Sequence, residues 1–195
     1  QTSLALNPNQ GLRYSWNKLC TCYQVTKRYD DGWLYFSGLT QENPDRWLAW
    51  HFRGEMGGDR DKTISEETVH SYMQAIALHN EEPNWIRSSE NLKDYLEKHQ
   101  ATSRGREIFV GLTEKFPAYW ILWHDRAWFE SQNDDYQSAE ASYQKAIARH
   151  PEDGWHVSWQ DLGWLYLQQN WFDKAVNAFS KAIKYSSEQK IKRLS

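Results

Sequence analysis

Apolar and small residues recur at helical spacing in the last third of the chain. One set is spaced i, i+3, i+4 and i+7 and therefore shares a face of one helix: Trp159, Leu162, Gly163 and Tyr166. A second set follows a short polar stretch at i, i+4 and i+7: Ala175, Phe179 and Ala182. The pattern predicts two amphipathic helices joined as a hairpin. Because Gly163 costs roughly 1 kcal/mol of helix propensity relative to alanine, we expect its missing side chain to allow close approach of the partner helix.

Four earlier segments carry looser copies of these two stripes. The aromatic position of the first stripe recurs upstream, with serine once in place of the aromatic residue, at Trp16, Trp50, Ser89 and Trp123. Successive copies, including the one at Trp159, are separated by 34, 39, 34 and 36 residues. A proline follows the second helix of each of the first four copies, where a helix must already have ended: Pro44, Pro83, Pro117 and Pro151. The chain is therefore predicted to be an array of helical hairpins.

The arrangement W-x2-L-G-x2-Y followed by A-x3-F-x2-A resembles the tetratricopeptide repeat (TPR), whose period is about 34 residues. The resemblance implies an all-α fold, a right-handed superhelical solenoid of stacked antiparallel helix hairpins. It places five repeats at about 13–46, 47–85, 86–119, 120–155 and 156–186. Residues 1–12 are expected to be the tail of a preceding repeat or an N-terminal cap, and residues 187–195 a C-terminal tail or short capping helix.

Each predicted repeat consists of two helices. The predicted helices cover residues 13–26, 30–42, 45–56, 65–79, 87–99, 103–115, 119–132, 136–149, 155–169 and 172–186. The glycine-rich segment 57–63 is predicted to be an enlarged turn in the second repeat.

Composition and charge exclude several classes of protein. The 195 residues are 39% hydrophobic and 25% charged, which is typical of a globular chain. The net charge of −3 provides no basic field for nucleic acid or anionic lipid. No apolar run is long enough to span a membrane, so we expect no membrane insertion and a cytoplasmic location, although a removed leader would leave no trace. Cys20 and Cys22 would point apart on a helix, so we expect Cys20 in the core and no disulfide between them.

The sequence contains no recognisable catalytic or cofactor motif. It lacks a P-loop, a dinucleotide-binding fingerprint, a nucleophile elbow and the H-E-x-x-H zinc motif. We therefore expect no catalytic residue, no metal site and no cofactor, and we expect function to depend on a surface.

In a solenoid of this family the concave wall is formed chiefly by the first helix of each repeat. The motif residues point into the hairpin, so residues offset from them on these helices should line the groove. The predicted partner-binding residues are Tyr14, Asn17, Thr21, His51, Glu55, Arg87, Glu90, Asp94, His124, Trp128, Gln160 and Trp164. One turn earlier Val157 also joins this set, and one turn further along Gln24 and Gln168 join it.

The predicted groove mixes acidic and aromatic side chains. Related domains that clamp the terminal carboxylate of chaperone tails use lysine, arginine and asparagine, and only Asn17 fits such a clamp. A basic peptide or helix with an apolar anchor for Trp128 and Trp164 is a better match than an acidic tail. Both tryptophans have an open alternative, which is packing within the repeat array.

The leading interpretation is a non-catalytic scaffold or adaptor that binds a partner protein or peptide. One alternative is the regulatory or substrate-recruiting region of a larger enzyme or multiprotein complex, which the complete reading frame would reveal. Another is a self-associating structural module that forms a homo-oligomer through its terminal repeats, which light scattering would detect.

Overall fold

The structure, a computed structural model, describes residues 8–78, 86–150 and 156–192. These residues form ten α-helices and no strand, so the predicted all-α fold is confirmed for the described part of the chain. The helices are α1 (Pro8–Val25), α2 (Tyr29–Glu42), α3 (Trp47–Arg60), α4 (Glu66–Leu78), α5 (Ile86–Lys98), α6 (Thr102–Lys115), α7 (Trp120–Gln132), α8 (Tyr136–Arg149), α9 (His156–Gln168) and α10 (Phe172–Lys192).

The chain divides into two compact units, Gln1–His99 and Gln100–Ser195. Unit 1 contains α1 to α5 and unit 2 contains α6 to α10, so the division falls within the predicted repeat 86–119. Four segments lie outside the described residues: 1–7, 79–85, 151–155 and 193–195. They include Pro83 and Pro151 and most of the predicted N-terminal tail, whose assignment stays a prediction.

The core of unit 1 is built from aromatic side chains of its first three helices. Phe36 and Phe52 are stacked with ring centroids 5.4 Å apart, and Trp16 packs edge-on against both. Such offset and edge-to-face contacts are the favoured geometries of aromatic pairs. Cys20 is 2% exposed in the same cluster and Cys22 is exposed, which confirms the prediction for Cys20.

In unit 2, helices α7 and α8 pack as one hairpin and α9 and α10 as another. The second hairpin shows the expected close approach, because a Cβ atom on Gly163 would lie only 2.8 Å from the ring of Phe179. Small Ala175 and Ala178 are buried in the same cluster. The stripe of small residues thus allows the two helices to pack at short range.

Four of the first helices end in the same way. Residues with left-handed φ angles of 54° to 60° follow α1, α5, α7 and α9: Lys27, Gln100, Asp134 and Asn170. A single left-handed residue after the last turn is a common helix ending. These recurrent turns support the repeat register read from the sequence.

The structure differs from the predicted boundaries by more than two residues at three helices. Helix α1 begins at Pro8 rather than at 13, and α10 continues to Lys192 rather than ending at 186. Helix α3 runs through most of the predicted turn 57–63 and ends at Arg60. The reason is that a Cβ on Gly57 would lie 2.1 Å from Thr68 Oγ1 and 2.7 Å from the ring of Trp33. This glycine permits close helix packing instead of a turn.

Candidate functional site

A buried histidine connects the odd-numbered helices of unit 1. His51 on α3 is 4% exposed, and its Nδ1 lies 2.8 Å from Oγ of the fully buried Ser88 on α5. Its Nε2 lies 3.4 Å from Oε1 of Glu55, one turn further along α3. His51 was expected to line the groove; it joins two helices instead.

The same arrangement recurs in unit 2. His124 on α7 is 4% exposed, and its Nδ1 lies 3.0 Å from Oγ of Ser158 on α9. Its Nε2 lies 3.4 Å from Oδ2 of Asp161. This also differs from the expected groove position of His124. Although serine, histidine and an acid meet here, the serine is fully buried, so the constellation is a structural link rather than a reactive centre.

The odd-numbered helices of unit 1 enclose a cavity of about 240 Å³. Helices α1, α3 and α5 supply every lining residue except Tyr72, which belongs to α4. The lining residues are Gln24, Glu55, Gly58, Asp59, Tyr72, Asn91, Asp94, Tyr95 and Lys98. Three carboxylates and one ammonium group therefore surround this acidic cavity.

Glu55 is the most extensively bonded of the three carboxylates. Its Oε2 accepts from the Cys20 thiol at 3.2 Å and its Oε1 from Asn91 Nδ2 at 3.1 Å. Burial raises the pKa of Glu55, but the hydrogen bond and charge of His51 and the bond from Cys20 outweigh it, so this pKa lies below its ordinary value. Glu55 therefore presents a negative charge to the cavity at neutral pH.

The other charged groups of the cavity differ in whether they form hydrogen bonds within the protein. Asp59 Oδ2 accepts from Gln24 Nε2 at 2.8 Å, and Asp94 is exposed. Lys98 Nζ donates to the backbone carbonyl of Gly58 at 2.7 Å, which holds the ammonium at the rim. The net charge of the cavity lining is therefore negative.

The two tyrosines of the cavity have different roles. Tyr95 donates from its hydroxyl to Asp61 Oδ2 at 3.0 Å and accepts from the backbone N–H of Ser65 at 2.7 Å, so it fixes the turn after α3. Tyr72 is 3% exposed and lines the cavity. Burial raises the pKa of Tyr72 well above its ordinary value, so the phenol stays neutral.

The cavity brings together only part of the predicted groove in unit 1. It includes Glu55, Asp94 and Gln24. The remaining predicted residues of this unit do not line it: Tyr14, Thr21 and Arg87 are exposed, and Asn17 and Glu90 are half-buried. Asp59 and Gly58 were missed because they lie beyond the predicted end of α3, yet Asp59 is one turn after Glu55 and follows from the true helix length.

In unit 2 the two predicted anchors occupy equivalent positions of consecutive odd-numbered helices. Trp164 on α9 is 53% exposed and packs edge-on against Phe179, with ring centroids 5.7 Å apart. Trp128 on α7 is half-buried and packs edge-on against Phe129 at 4.8 Å. Gln160 is exposed on α9. Trp164 thus offers the larger free aromatic surface.

Neither a metal-binding cluster nor a membrane-spanning helix occurs among the described residues. Within 8–78, 86–150 and 156–192, no group of three or more histidine, cysteine, aspartate or glutamate side chains could hold a metal ion. No helix in the same part of the chain is long and apolar enough to cross a membrane.

Comparison with protein families matches two of the predicted repeats. A tetratricopeptide-repeat model matches residues 122–153 and 156–189. No curated protein matches the sequence. The matched segments cover most of the two hairpins of unit 2, α7 with α8 and α9 with α10.

Several solved structures share the fold. A crystal structure of MamA is 13% identical, with a TM-score of 0.61, and the match covers 88% of this chain and 96% of that chain. MamA from residue 41 to its end, from Desulfovibrio magneticus RS-1, is 13% identical at a TM-score of 0.60, covering 91% and 96%. YrrB, a TPR protein with an unusual peptide-binding site, is 11% identical at a TM-score of 0.54, covering 87% and 84%. These likenesses show the fold, a solenoid of helical hairpins.

Proposed function

We propose that this chain, which carries tetratricopeptide repeats, is a non-catalytic interaction scaffold that binds a basic peptide or helix on its odd-numbered helices. The observation that carries the proposal is the acidic cavity formed by α1, α3 and α5, the helices predicted to bind the partner. The peptide-binding site of the similarly folded YrrB supports the same type of function.

The chemistry of the acidic cavity favours a lysine or arginine side chain. Glu55, Asp59 and Asp94 supply negative charge, while Lys98 is held by a backbone carbonyl. A guanidinium has five donors on a planar fork and is suited to several carboxylate and hydroxyl acceptors at once. An acidic tail would be repelled by the same carboxylates.

Unit 2 separately offers two tryptophans that would meet aromatic or apolar residues of a partner. Trp164 is the better candidate because more than half of its surface is exposed, and Trp128 has the equivalent position on α7. Exposed aromatic side chains bury large areas on binding and are common anchors of interfaces.

The proposal can be tested with two labelled peptides, one carrying arginine beside tryptophan and one in which glutamate replaces each arginine. Fluorescence anisotropy would measure the affinity of both for the full chain. Asp94→Lys should lower the affinity for the basic peptide by about tenfold, which corresponds to ~1.4 kcal/mol of binding free energy. Glu97→Lys is the matched control, because Glu97 is exposed on the same helix but does not line the cavity. Equal binding of the two peptides, or equal losses in both variants, would contradict the proposal.

Self-association is a second candidate function, favoured by exposed apolar side chains on α10. Phe172 is 59% exposed and Val176 is 67% exposed on neighbouring turns. Apolar groups of this size in contact with water favour association. Light scattering at several concentrations tests it: a rising mass that Val176→Lys abolishes supports self-association, and a constant monomer mass rules it out.

A further inference from the structure

Unit 2 contains a cavity whose lining includes none of the predicted groove residues. It lies between α8, α9 and α10 and has a volume of about 400 Å³. Its lining residues are Glu140, Gln144, Trp159, Leu162, Tyr166, Lys174, Asn177, Ala178 and Lys181. We call it the C-terminal groove.

The floor of the C-terminal groove is apolar and its rim is polar. Leu162, Tyr166 and Ala178 form buried parts of the floor, and the indole of Trp159 adds an aromatic face. A concave apolar surface with a few polar groups at its edge is the usual form of a ligand site.

Comparison of two consecutive repeats explains why space is left beside Trp159. In the preceding repeat the corresponding ring, Trp123, has three cationic groups 4.3 to 5.2 Å from its centroid: Arg126, Lys145 and Arg149. Arg149 is also fixed by a 2.7 Å bond from its Nε to the Pro117 carbonyl. A shift of 36 residues replaces the two arginines by leucine and tyrosine: Leu162 and Tyr185.

Only the lysine of that set is retained at Trp159. Lys181 Nζ lies 4.2 Å from the centroid of the indole, in the place that Lys145 takes above Trp123. The loss of the two guanidinium groups opens the apolar floor, while one cation stays at its edge.

The charges at the rim favour an anionic ligand. Glu140 Oε1 is already engaged, since it lies 3.1 Å from Lys174 Nζ and accepts from the Tyr166 hydroxyl at 2.8 Å. No carboxylate among the described residues forms an ion pair with Lys181. The Asn177 side chain is exposed four residues before it on the same face of α10. A carboxylate could therefore accept from both side chains.

We propose that the C-terminal groove is a second binding site, which takes a peptide segment with a carboxylate beside an apolar side chain. The apolar side chain covers Leu162 and Ala178, and the carboxylate pairs with Lys181. The preferred ligand is opposite in charge to that of the acidic cavity, so the two sites select different partner segments.

The probe is a fluorescein-labelled peptide, Glu-Leu-Glu-Leu-Glu, titrated with the full chain and followed by anisotropy. We expect saturable binding that Lys181→Glu weakens about tenfold, as expected for reversal of a contacting charge. Lys184→Glu is the control, because it makes the same change of charge at an exposed position of α10 outside the lining. Its affinity should stay within about twofold of the parent protein.

A second variant tests the shape of the site without changing its charge. Asn177→Trp should block the mouth of the groove and lower the affinity for the acidic peptide about as much as Lys181→Glu does. Circular dichroism confirms that each variant is folded. The proposal is overturned by a lack of saturable binding, by equal losses in Lys181→Glu and Lys184→Glu, or by full affinity in Asn177→Trp.

Discussion

Glu55 is the residue on which both the structure and the charge of the acidic cavity depend. It is close to His51 on its own helix, accepts hydrogen bonds from Cys20 on α1 and Asn91 on α5, and faces the cavity. One carboxylate thus connects three helices and supplies binding charge. The loss of any of these partners would leave a buried polar group unpaired, which costs stability.

The lowered pKa of Glu55 predicts a pH dependence of stability. A carboxyl whose pKa is lower in the folded than in the unfolded protein stabilises the fold above its ordinary pKa of 4.5. This stabilisation is lost as the pH falls through the folded-state pKa, which lies below 4.5. Glu55→Gln should therefore lower the free energy of unfolding by about 1–2 kcal/mol at neutral pH and by much less near pH 3.

Urea denaturation followed by circular dichroism at both pH values measures this difference. Glu97→Gln provides the comparison, since Glu97 is exposed on α5. An equal loss of stability for Glu55→Gln at neutral and acidic pH would mean that the charge of Glu55 contributes nothing.

At the scale of the helices, glycine has two opposite effects that depend on what lies beside it. A Cβ at Gly163 would lie 2.8 Å from the Phe179 ring, whereas a Cβ at Gly111 on α6 would meet nothing within 4 Å. Both residues are helical and in unit 2. They therefore form a matched pair in which only the packing differs.

Alanine substitution should change stability in opposite directions at these two positions. Gly111→Ala should raise the free energy of unfolding by about 0.5–1 kcal/mol through helix propensity. Gly163→Ala should lower it by about 1–3 kcal/mol, because Phe179 must shift to admit the methyl group. Thermal and urea denaturation of both variants measure the two signs. Stabilisation by Gly163→Ala would show that the hairpin α9–α10 does not depend on close approach.

The same packing effect limits what helix patterns can predict. The stripes at 3.6-residue spacing predicted Gly163 correctly, because apolar neighbours on the same face identify it as part of an interface. Gly57 and Gly58 were interpreted as a turn, because two adjacent glycines usually interrupt a helix. The neighbours of Gly57, Thr68 and Trp33, belong to other helices, so the pattern of α3 alone could not identify the contact.

At the scale of the whole molecule, the hairpins could be predicted from the sequence, whereas the two proposed binding sites could be predicted only in part. Glu55 and Asp94, two of the predicted groove residues, line one cavity. The burial of His51 was not predictable from α3, because its partner Ser88 lies 37 residues away. The C-terminal groove exists because Trp159 lacks the two arginines found beside Trp123. A repeat motif specifies the residues that are present, so it could not reveal this space.

The two proposed sites predict that one chain binds two peptides of opposite charge at the same time. The acidic cavity belongs to unit 1 and the C-terminal groove to unit 2, and they share no lining residue. Saturation with the arginine–tryptophan peptide should therefore leave the affinity for Glu-Leu-Glu-Leu-Glu within about twofold. Asp94→Lys should affect only the first peptide and Lys181→Glu only the second.

Salt dependence tests the electrostatic part of both proposed interactions. Both affinities should fall as salt shortens the screening length from about 10 Å at 0.1 M to about 3 Å at 1 M. Analytical ultracentrifugation with two dyes would detect both labels on one protein peak. Displacement of one peptide by the other would mean that a single surface binds both, and the assignment of charge selectivity to separate units would then be wrong, because only one cavity could be in use.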